Sequence, residues 1–385
     1  MTLKDKLFHN NKCKRLILKV AFICDDLMVG GWTSITDMIL NFGTAGFEPF
    51  VVCLFGKGHY AEILEKAGIK VHLLDLKKSN APLKFLELVS IFKKEKPDIV
   101  HTNLHYSDFF GGAAAIAAGV KHRVAQIHSI KEKYKHPLTW PKRKILSSAS
   151  VVVAVSGATR EAFKNEYPGL SVEVRTIPNG INLCEFRRRL GNVSLTRRDI
   201  GVPEDSMMIL TVANFKWQKG YEHLVDAVEM LGDPSVRFVI AGYGQEKSKT
   251  EKMIAEKGLQ DRIILLGMRT DVPDLMKISD LFLLPSVVEP FGICILEAFV
   301  SGVPVIASSV DGIKETATDM ENALLVPPAN PAEICSAIRK LQNDIAMRDK
   351  IRQGALKRVE DFDIGIISSR FKDLYCEIRF KSDKV

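Results

Sequence analysis

The segment with the most specific chemistry runs from Pro285 to Pro304 and carries two glutamates with seven residues between them. Its pattern predicts a strand ending at Pro285, a loop with Glu289, and a helix that begins at Gly292 and carries Glu297. Backbone amides at a helix start can receive a diphosphate. A loop carboxylate can accept hydrogen bonds from sugar hydroxyls, and one in the second helical turn can hold a ribose diol. An isolated pair would more simply be a capping charge and a solvated helix face, but the surrounding glycines and prolines favour a binding site.

Two adjacent glycines, Gly30 and Gly31, follow the first predicted strand and precede a helix. Without side chains they allow a phosphate to approach the backbone closely, although a tight strand-to-helix turn explains them equally well. No Gly-x-Gly-x-x-Gly pattern occurs there, which argues against a dehydrogenase.

Strand patterns alternate with helix patterns in two series, one from Leu16 to Pro178 and one from Met208 to Val326. Such alternation predicts an α/β fold with parallel sheets covered on both faces. A polar, arginine-rich stretch, Arg187–Asp199, separates the series, and 385 residues suffice for two domains. We predict domains at 1–190 and 206–363, a linker at 191–205, and a C-terminal helix at 364–385 that could cross back to the first domain. Ligands of doubly wound sheets bind beyond the carboxyl ends of the strands.

The chain resembles glycosyltransferase family 4 (glycosyl transferases group 1), retaining enzymes of the GT-B fold with two Rossmann-like domains facing a cleft. The Glu289–Glu297 segment carries the strongest part of this resemblance. Weaker motifs follow in order along nearly the whole chain: Gly30-Gly31-Trp32, Pro97–His101, Ile127-His128, Ile177–Asn182, Lys219-Gly220, Ala241–Gly244 and Asp280–Ser286.

The resemblance implies roles for the residues around the two glutamates. Glu289 would contact the donor sugar and Glu297 the ribose. The backbone of Phe291, Gly292 and Ile293 would face the diphosphate and sugar. The first domain would bind the acceptor and the second the nucleotide sugar.

Four further positions take their expected roles from the same resemblance. Lys219 would neutralise the leaving diphosphate. The family usually has an arginine where this chain has Asn214, and Lys216 is a plausible replacement. Alternatively, both lysines would lie on the surface beside Trp217. His128 would reach the donor sugar rather than serve as a core histidine, and Arg269 would either stack on the nucleobase or be exposed.

No Asp or Glu stands out as a covalent nucleophile, and we expect a transferase that uses no metal and no other cofactor. We assign no metal to the single Asp-x-Asp pattern, Asp361–Asp363, because it lies in a polar joint before the last helix. The reaction would move a sugar from a UDP- or GDP-sugar to an acceptor hydroxyl of a glycan or lipid-linked acceptor, in polysaccharide, lipopolysaccharide or glycolipid synthesis. The alternatives are an epimerase or phosphorylase of the same fold, or a non-catalytic nucleotide-sugar-binding protein.

Charge is uneven along the chain. The net charge is +8, but residues 1–190 contain 29 basic and 17 acidic residues. This basic half suggests an anionic partner, either a phospholipid surface or a phosphorylated acceptor, although solubility alone is an equal explanation. The basic aromatic segment Lys131–Lys144 would contact a membrane surface. No nucleic-acid module accompanies the segment, so no nucleic-acid partner is expected. No hydrophobic signal region precedes the first strand and the seven cysteines form no CxxC pair. We therefore expect a cytoplasmic protein that could lie peripherally on the membrane.

Overall fold

The computed structural model describes residues 17–28, 32–43, 46–130 and 139–381, without the side chains of residues 139, 140 and 381. Within these ranges the chain forms two parallel β-sheets with helices on their faces. The prediction of an α/β protein with two doubly wound, Rossmann-like sheets is therefore confirmed.

The first sheet contains seven strands, β1 (Leu18–Cys24), β2 (Phe47–Cys53), β3 (Lys70–Leu73), β4 (Ile99–Asn103), β5 (His122–Ile127), β6 (Val151–Ala154) and β7 (Val174–Thr176). Their order is β3-β2-β1-β4-β5-β6-β7 and every pairing is parallel. The strand order reverses between β1 and β4, where Phe22 pairs with His101. A crevice for ligands therefore opens at the carboxyl ends of these two strands.

The second sheet contains six strands, β8 (Met207–Val212), β9 (Val236–Ala241), β10 (Ile263–Gly267), β11 (Leu281–Leu284), β12 (Val305–Ser308) and β13 (Leu324–Val326). Their order is β10-β9-β8-β11-β12-β13, again parallel throughout. The reversal point here lies between β8 and β11, and the two strands are buried along almost their whole length. Buried apolar runs of this kind are typical of parallel strands covered on both faces.

Helices connect the strands in both halves. They are α1 (Thr33–Phe42), α2 (Gly58–Lys66), α3 (Ala81–Glu95), α4 (Gly112–Ala117), α5 (Thr139–Ser147), α6 (Gly157–Glu166), α7 (Leu183–Leu190), α8 (Tyr221–Leu231), α9 (Lys247–Glu256), α10 (Val272–Lys277), α11 (Ile293–Ser301), α12 (Ile313–Thr316), α13 (Pro331–Asn343), α14 (Ile345–Arg358) and α15 (Ile364–Lys381). Across the described ranges, no helix combines the length and apolar character needed to cross a membrane.

The last helix, α15, packs on the first sheet rather than on the second. Phe371 and Tyr375 are almost fully buried in the same apolar cluster as Phe22 and Phe42. The Tyr375 hydroxyl lies 2.5 Å from Nδ1 of the buried His101. The chain therefore returns to its first half after completing the second sheet.

The stretch between the two sheets contains more structure than its polarity suggests. Residues 183–190 form α7, which packs against α10 and α11 of the second half. Ile200 and Val202, inside the expected linker, are buried in the core of the second sheet. The division of the chain at residues 191–205 stays a prediction.

Candidate functional site

The central feature of the second sheet's carboxyl edge is an ion pair between Lys219 and Glu289. Lys219 ends a short turn between β8 and α8, and Glu289 lies in the loop between β11 and α11. Nζ of Lys219 is 2.5 Å from Oε2 of Glu289. The two side chains therefore meet at the reversal point of the sheet, where ligands of doubly wound sheets bind.

A glycine allows this approach. Gly220 has a φ of 64°, and a Cβ at this position would lie 2.2 Å from the carbonyl oxygen of Pro285. A side chain there would therefore push the turn carrying Lys219 away from the end of β11. The backbone amide of Val287 donates to the carbonyl of Gln218 at 2.7 Å and fixes the two loops together.

Burial and charge act in opposite directions on Lys219. Its side chain is 19% exposed and that of Glu289 is 7% exposed. Burial would lower the pKa of Lys219, but the carboxylate of Glu289 outweighs it, and the net pKa is raised. Ser286 donates a second hydrogen bond to Glu289 Oε2 at 3.1 Å. The site therefore holds a permanent cation beside an oriented carboxylate.

The helix α11 begins next to this pair with an open N-terminus. Gly292 is its N-cap with a φ of 81°, and no described side chain caps this end. The first backbone N–H groups of a helix have no intrahelical acceptor and attract anions. Ile293 is the first helical residue, whereas the Phe291 side chain is buried and packs edge-to-face on Phe362. Only backbone atoms of this segment are therefore suited to contact a diphosphate.

Glu297, one turn further along α11, is a buried carboxylate. It is 8% exposed, and no described residue donates a hydrogen bond to its side chain. Burial raises its pKa to about 7, the guanidinium of Arg189 lowers it in part, and the carboxylate of Asp37 raises it further. A buried polar group without a partner is costly, and a vicinal diol could supply the missing hydrogen bonds.

His128 occupies the corresponding edge of the first sheet, directly after β5. Its Nε2 is 3.1 Å from Oδ1 of Asn103, the last residue of β4. Because the Asn103 amide nitrogen donates to the carbonyl of Ile23, Asn103 Oδ1 accepts and His128 Nε2 carries the proton. Burial lowers the pKa of His128 to about 4, so the ring is neutral at physiological pH with Nδ1 as an acceptor.

Residues at the ends of the two sheets contact each other directly. The carboxylate of Glu315, on α12, accepts hydrogen bonds from the backbone amides of Gly157 and Ala158 at 2.8 and 2.9 Å. Those amides open α6 of the first half. The carboxyl edges of both sheets therefore border one cleft.

Two other predicted donor contacts occupy different surroundings. Lys216 is exposed and borders a shallow surface depression with Trp217 and Glu246. Arg269 forms a two-pronged ion pair with Asp271, with Nε 2.7 Å from Oδ1. The structure brings Lys219 but not Lys216 to Glu289, and it holds the Arg269 guanidinium in a fixed plane.

The remaining predicted positions fall into two groups. Gly30 and Gly31 lie outside the described residues, as does most of the basic aromatic segment at 131–144. Asp361 pairs with Arg358, and Asp363 accepts from the amide of Gly365. Among the described residues, no cluster of three or more potential metal ligands occurs.

Sequence reasoning missed the residues that support the site. Asn103 orients His128, Ser286 orients Glu289, and Asp37 and Arg189 act on Glu297. Asn103 and Ser286 could have been noticed as polar residues at strand ends. Asp37 and Arg189 carried no such signal, because they lie on helices distant in sequence from α11.

Comparison with known proteins identifies the class. The family model described as Glycosyltransferase Family 4 matches residues 29–185, and that described as Glycosyl transferases group 1 matches residues 193–358. Together the two matches cover most of the chain. The chain therefore belongs to the glycosyltransferases of the family 4, GT-B type.

Two curated relatives illustrate the range of this similarity. An uncharacterised glycosyltransferase of Methanocaldococcus jannaschii is 34% identical over 54% of this chain, and the match spans about half of that relative, 55%. The Escherichia coli UDP-Gal:alpha-D-GlcNAc-diphosphoundecaprenol alpha-1,3-galactosyltransferase is 26% identical over 76% of this chain and 79% of its own length.

Among solved structures, Anabaena HepE in complex with UDP-glucose superposes with a TM-score of 0.81 at 22% identity. That match covers 94% of this chain and 100% of HepE. At this identity the likeness establishes the fold alone.

Proposed function

We propose that this protein transfers a sugar from a nucleotide diphosphate sugar to an acceptor hydroxyl, with retention of configuration at the anomeric carbon. The observation that carries the proposal is the Lys219–Glu289 pair at the sheet reversal point, next to the open N-terminus of α11. A cation and oriented backbone amides suit a diphosphate, and an oriented carboxylate suits sugar hydroxyls.

The proposed donor contacts are those that the family resemblance implies, and the geometry of each residue supports its role. Lys219 neutralises charge that grows on the diphosphate as the sugar–phosphate bond breaks. Glu289 accepts hydrogen bonds from the sugar hydroxyls. Glu297 accepts from the ribose diol, since no described residue donates a hydrogen bond to its carboxylate. The neutral ring of His128 offers Nδ1 to a sugar hydroxyl from the opposite side of the cleft.

Retention is proposed to proceed on one face of the sugar. The diphosphate departs, an oxocarbenium-like centre develops, and the acceptor hydroxyl enters beside the departing oxygen. That hydroxyl gives its proton to a phosphate oxygen of the leaving group, so no protein nucleophile is needed. Catalysis then depends on positioning and electrostatic stabilisation.

The donor class is proposed to be a UDP- or GDP-sugar and the acceptor a glycan or lipid-linked saccharide. The UDP-glucose complex of HepE and the UDP-Gal specificity in the name of the Escherichia coli relative support a uridine nucleotide. The diphosphoundecaprenol in the same name supports a lipid-linked acceptor in envelope polysaccharide or lipopolysaccharide synthesis. We assign acceptor binding to the first sheet and donor binding to the second.

We further propose a cytoplasmic protein that contacts anionic membranes peripherally. Helix α3 exposes Leu83 and Leu86, at 67% and 64%, and begins after Lys77 and Lys78. Apolar side chains framed by lysines suit the interface of an anionic bilayer.

The proposal is tested by calorimetric titration with UDP, GDP and their glucose and mannose derivatives, followed by assay of nucleotide release with and without saccharide acceptors. We expect saturable binding of one nucleotide class and release that accelerates with acceptor. Binding without release would favour a non-catalytic protein. Conversion of the sugar without nucleotide release would favour an epimerase.

A further inference from the structure

Two aromatic rings at the carboxyl edge of the first sheet have no part in the donor site. Phe55 follows β2 and Tyr106 follows β4. Their ring centroids are 5.3 Å apart with an interplanar angle of 89°. Phe55 is 40% exposed and Tyr106 is 43% exposed. They form an edge-to-face pair that remains accessible at the cleft side of the sheet.

The backbone that carries Tyr106 is strained. Leu104 has a φ of 76°, a left-handed conformation that side-chain-bearing residues rarely adopt. Ser107 supports this turn, because its hydroxyl donates to the carbonyl of Leu104 at 3.0 Å and accepts from the amide of Asn103 at 3.0 Å. Strain of about 1–3 kcal/mol per residue persists mainly where function requires a fixed geometry.

Two aspartates, Asp25 and Asp26, follow β1, which lies between β2 and β4 in the sheet. Asp25 Oδ1 accepts from the amide of Ser107 at 3.0 Å, and Asp26 Oδ1 accepts from the amide of Met28 at 3.1 Å. The amide of Phe55 donates to the carbonyl of Asp25 at 2.8 Å. In the part of the chain that the structure describes, the second oxygen of each carboxylate accepts no hydrogen bond. One oxygen is thus anchored and the other is available to a ligand.

This group is connected to the reaction centre of the proposed function. Asn103 holds His128 through its side chain and holds Ser107 through its backbone amide, and Ser107 in turn holds Asp25. His128 and Asp25 therefore belong to one hydrogen-bonded network.

We propose that Phe55 and Tyr106, with the free carboxylate oxygens of Asp25 and Asp26, form a subsite for one pyranose ring of a saccharide acceptor. A pyranose presents an apolar C–H face, which packs on aromatic rings, and a rim of hydroxyls, which donate to carboxylates. A simple alcohol or an acyl chain offers only one of these features. That the bound saccharide is the acceptor rests on the proposed function, whereas the binding of a pyranose at this subsite does not.

Saturation-transfer NMR on the full chain tests the subsite without requiring turnover. The probes are methyl α- and β-pyranosides of glucose, galactose, mannose and N-acetylglucosamine, with glycerol as a polyol that lacks a ring. We expect saturation of at least one pyranoside and none of glycerol. Phe55→Leu and Tyr106→Leu should each weaken that pyranoside about tenfold, since a lost aromatic contact typically costs a factor of this order. Phe55→Tyr and Tyr106→Phe keep an aromatic ring at each position and should therefore retain pyranoside binding.

Ile116→Ala provides a matched control, because Ile116 is 44% exposed on α4 and lies outside the subsite. UDP titration of each variant reports separately on the donor site. Loss of pyranoside binding with unchanged UDP affinity supports the subsite. Absence of pyranoside binding in the wild type, or full retention in the two leucine variants, overturns it, whether or not UDP binds. Absence of UDP and GDP binding with pyranoside binding intact contradicts the proposed function instead.

Discussion

Replacing Lys219 by alanine should impair both turnover and stability. The side chain is 19% exposed and its ammonium lies 2.5 Å from a carboxylate that is 7% exposed. In Lys219→Ala, the hydrogen bond from Ser286 is the one remaining contact that described residues make to the Glu289 carboxylate. The alternative that Lys219 lies on the surface beside Trp217 therefore does not hold, and its substitution should affect folding as well as turnover.

The expected magnitudes follow from the burial. Removing one partner of a buried ion pair typically costs about 3–5 kcal/mol, and partial exposure of Lys219 places this pair at or below the lower end. We therefore expect a loss of about 2–3 kcal/mol in the free energy of unfolding. Loss of a preorganised charge at the leaving group should lower kcat by about 10²–10³-fold.

Urea unfolding and steady-state nucleotide release measure the two effects separately. The double variant Lys219→Ala with Glu289→Gln should be more stable than Lys219→Ala alone, because it removes the unpaired charge. Lys216→Ala provides a comparison. Lys216 is exposed, so its substitution should leave the free energy of unfolding unchanged. Wild-type stability of Lys219→Ala would refute the buried pair. Full activity of Lys219→Ala with loss of activity in Lys216→Ala would transfer the diphosphate role to Lys216.

Further predictions concern pH, the imidazole, metals and membranes. Burial raises the pKa of Glu297 in the folded protein to about 7, so less of its carboxylate is ionised below pH 7 and donor affinity should fall there. In calorimetry, Glu297→Gln should bind the donor more weakly, and its affinity should not change with pH in this range. Because the pKa of Glu297 is higher in the folded state than in the unfolded state, the free energy of unfolding should fall as pH rises from about 4.5 through 7. The free energy of unfolding of Glu297→Gln should not show this fall. His128→Asn should raise the donor KM, and a pH profile with a pKa near 6.5 assigned to His128 would contradict its lowered pKa. Chelators should leave activity unchanged, and restoration by magnesium after chelation would disprove metal independence. The protein should co-sediment with anionic vesicles at low ionic strength, and added salt should weaken this binding. The double variant Leu83→Glu, Leu86→Glu should also bind more weakly. Binding that neither salt nor the double variant weakens would argue against the exposed surface of α3 as the membrane contact.

Local sequence patterns predicted much of the fold. Alternating strand and helix patterns in two series predicted two parallel sheets covered by helices, and the structure has both. Helix α14 gave no such signal, because its apolar residues do not gather on one face and Gly354 lies in its interior. Gly354 is required by packing, since a Cβ there would lie 2.0 Å from the carbonyl oxygen of Glu321.

The candidate site was predictable where function depends on contiguous sequence. Glu289, Gly292 and Glu297 lie within one loop-and-helix segment, so their spacing identified them. The pairing of Lys219 with Glu289 joins residues 70 positions apart, and it depends on the parallel neighbours β8 and β11. The action of Asp37 on Glu297 crosses between the two halves of the chain. Such contacts follow from the relative placement of the two sheets, which periodicity does not encode.

The configuration of the product at its anomeric carbon distinguishes transfer with retention from transfer with inversion. Proton NMR would follow the anomeric signal of the saccharide formed from an α-linked nucleotide sugar and the acceptor that most accelerates nucleotide release. We expect the first product formed to be the α-anomer and nucleotide diphosphate to appear in equal amount. A β-linked first product would contradict retention and the proposed one-face mechanism.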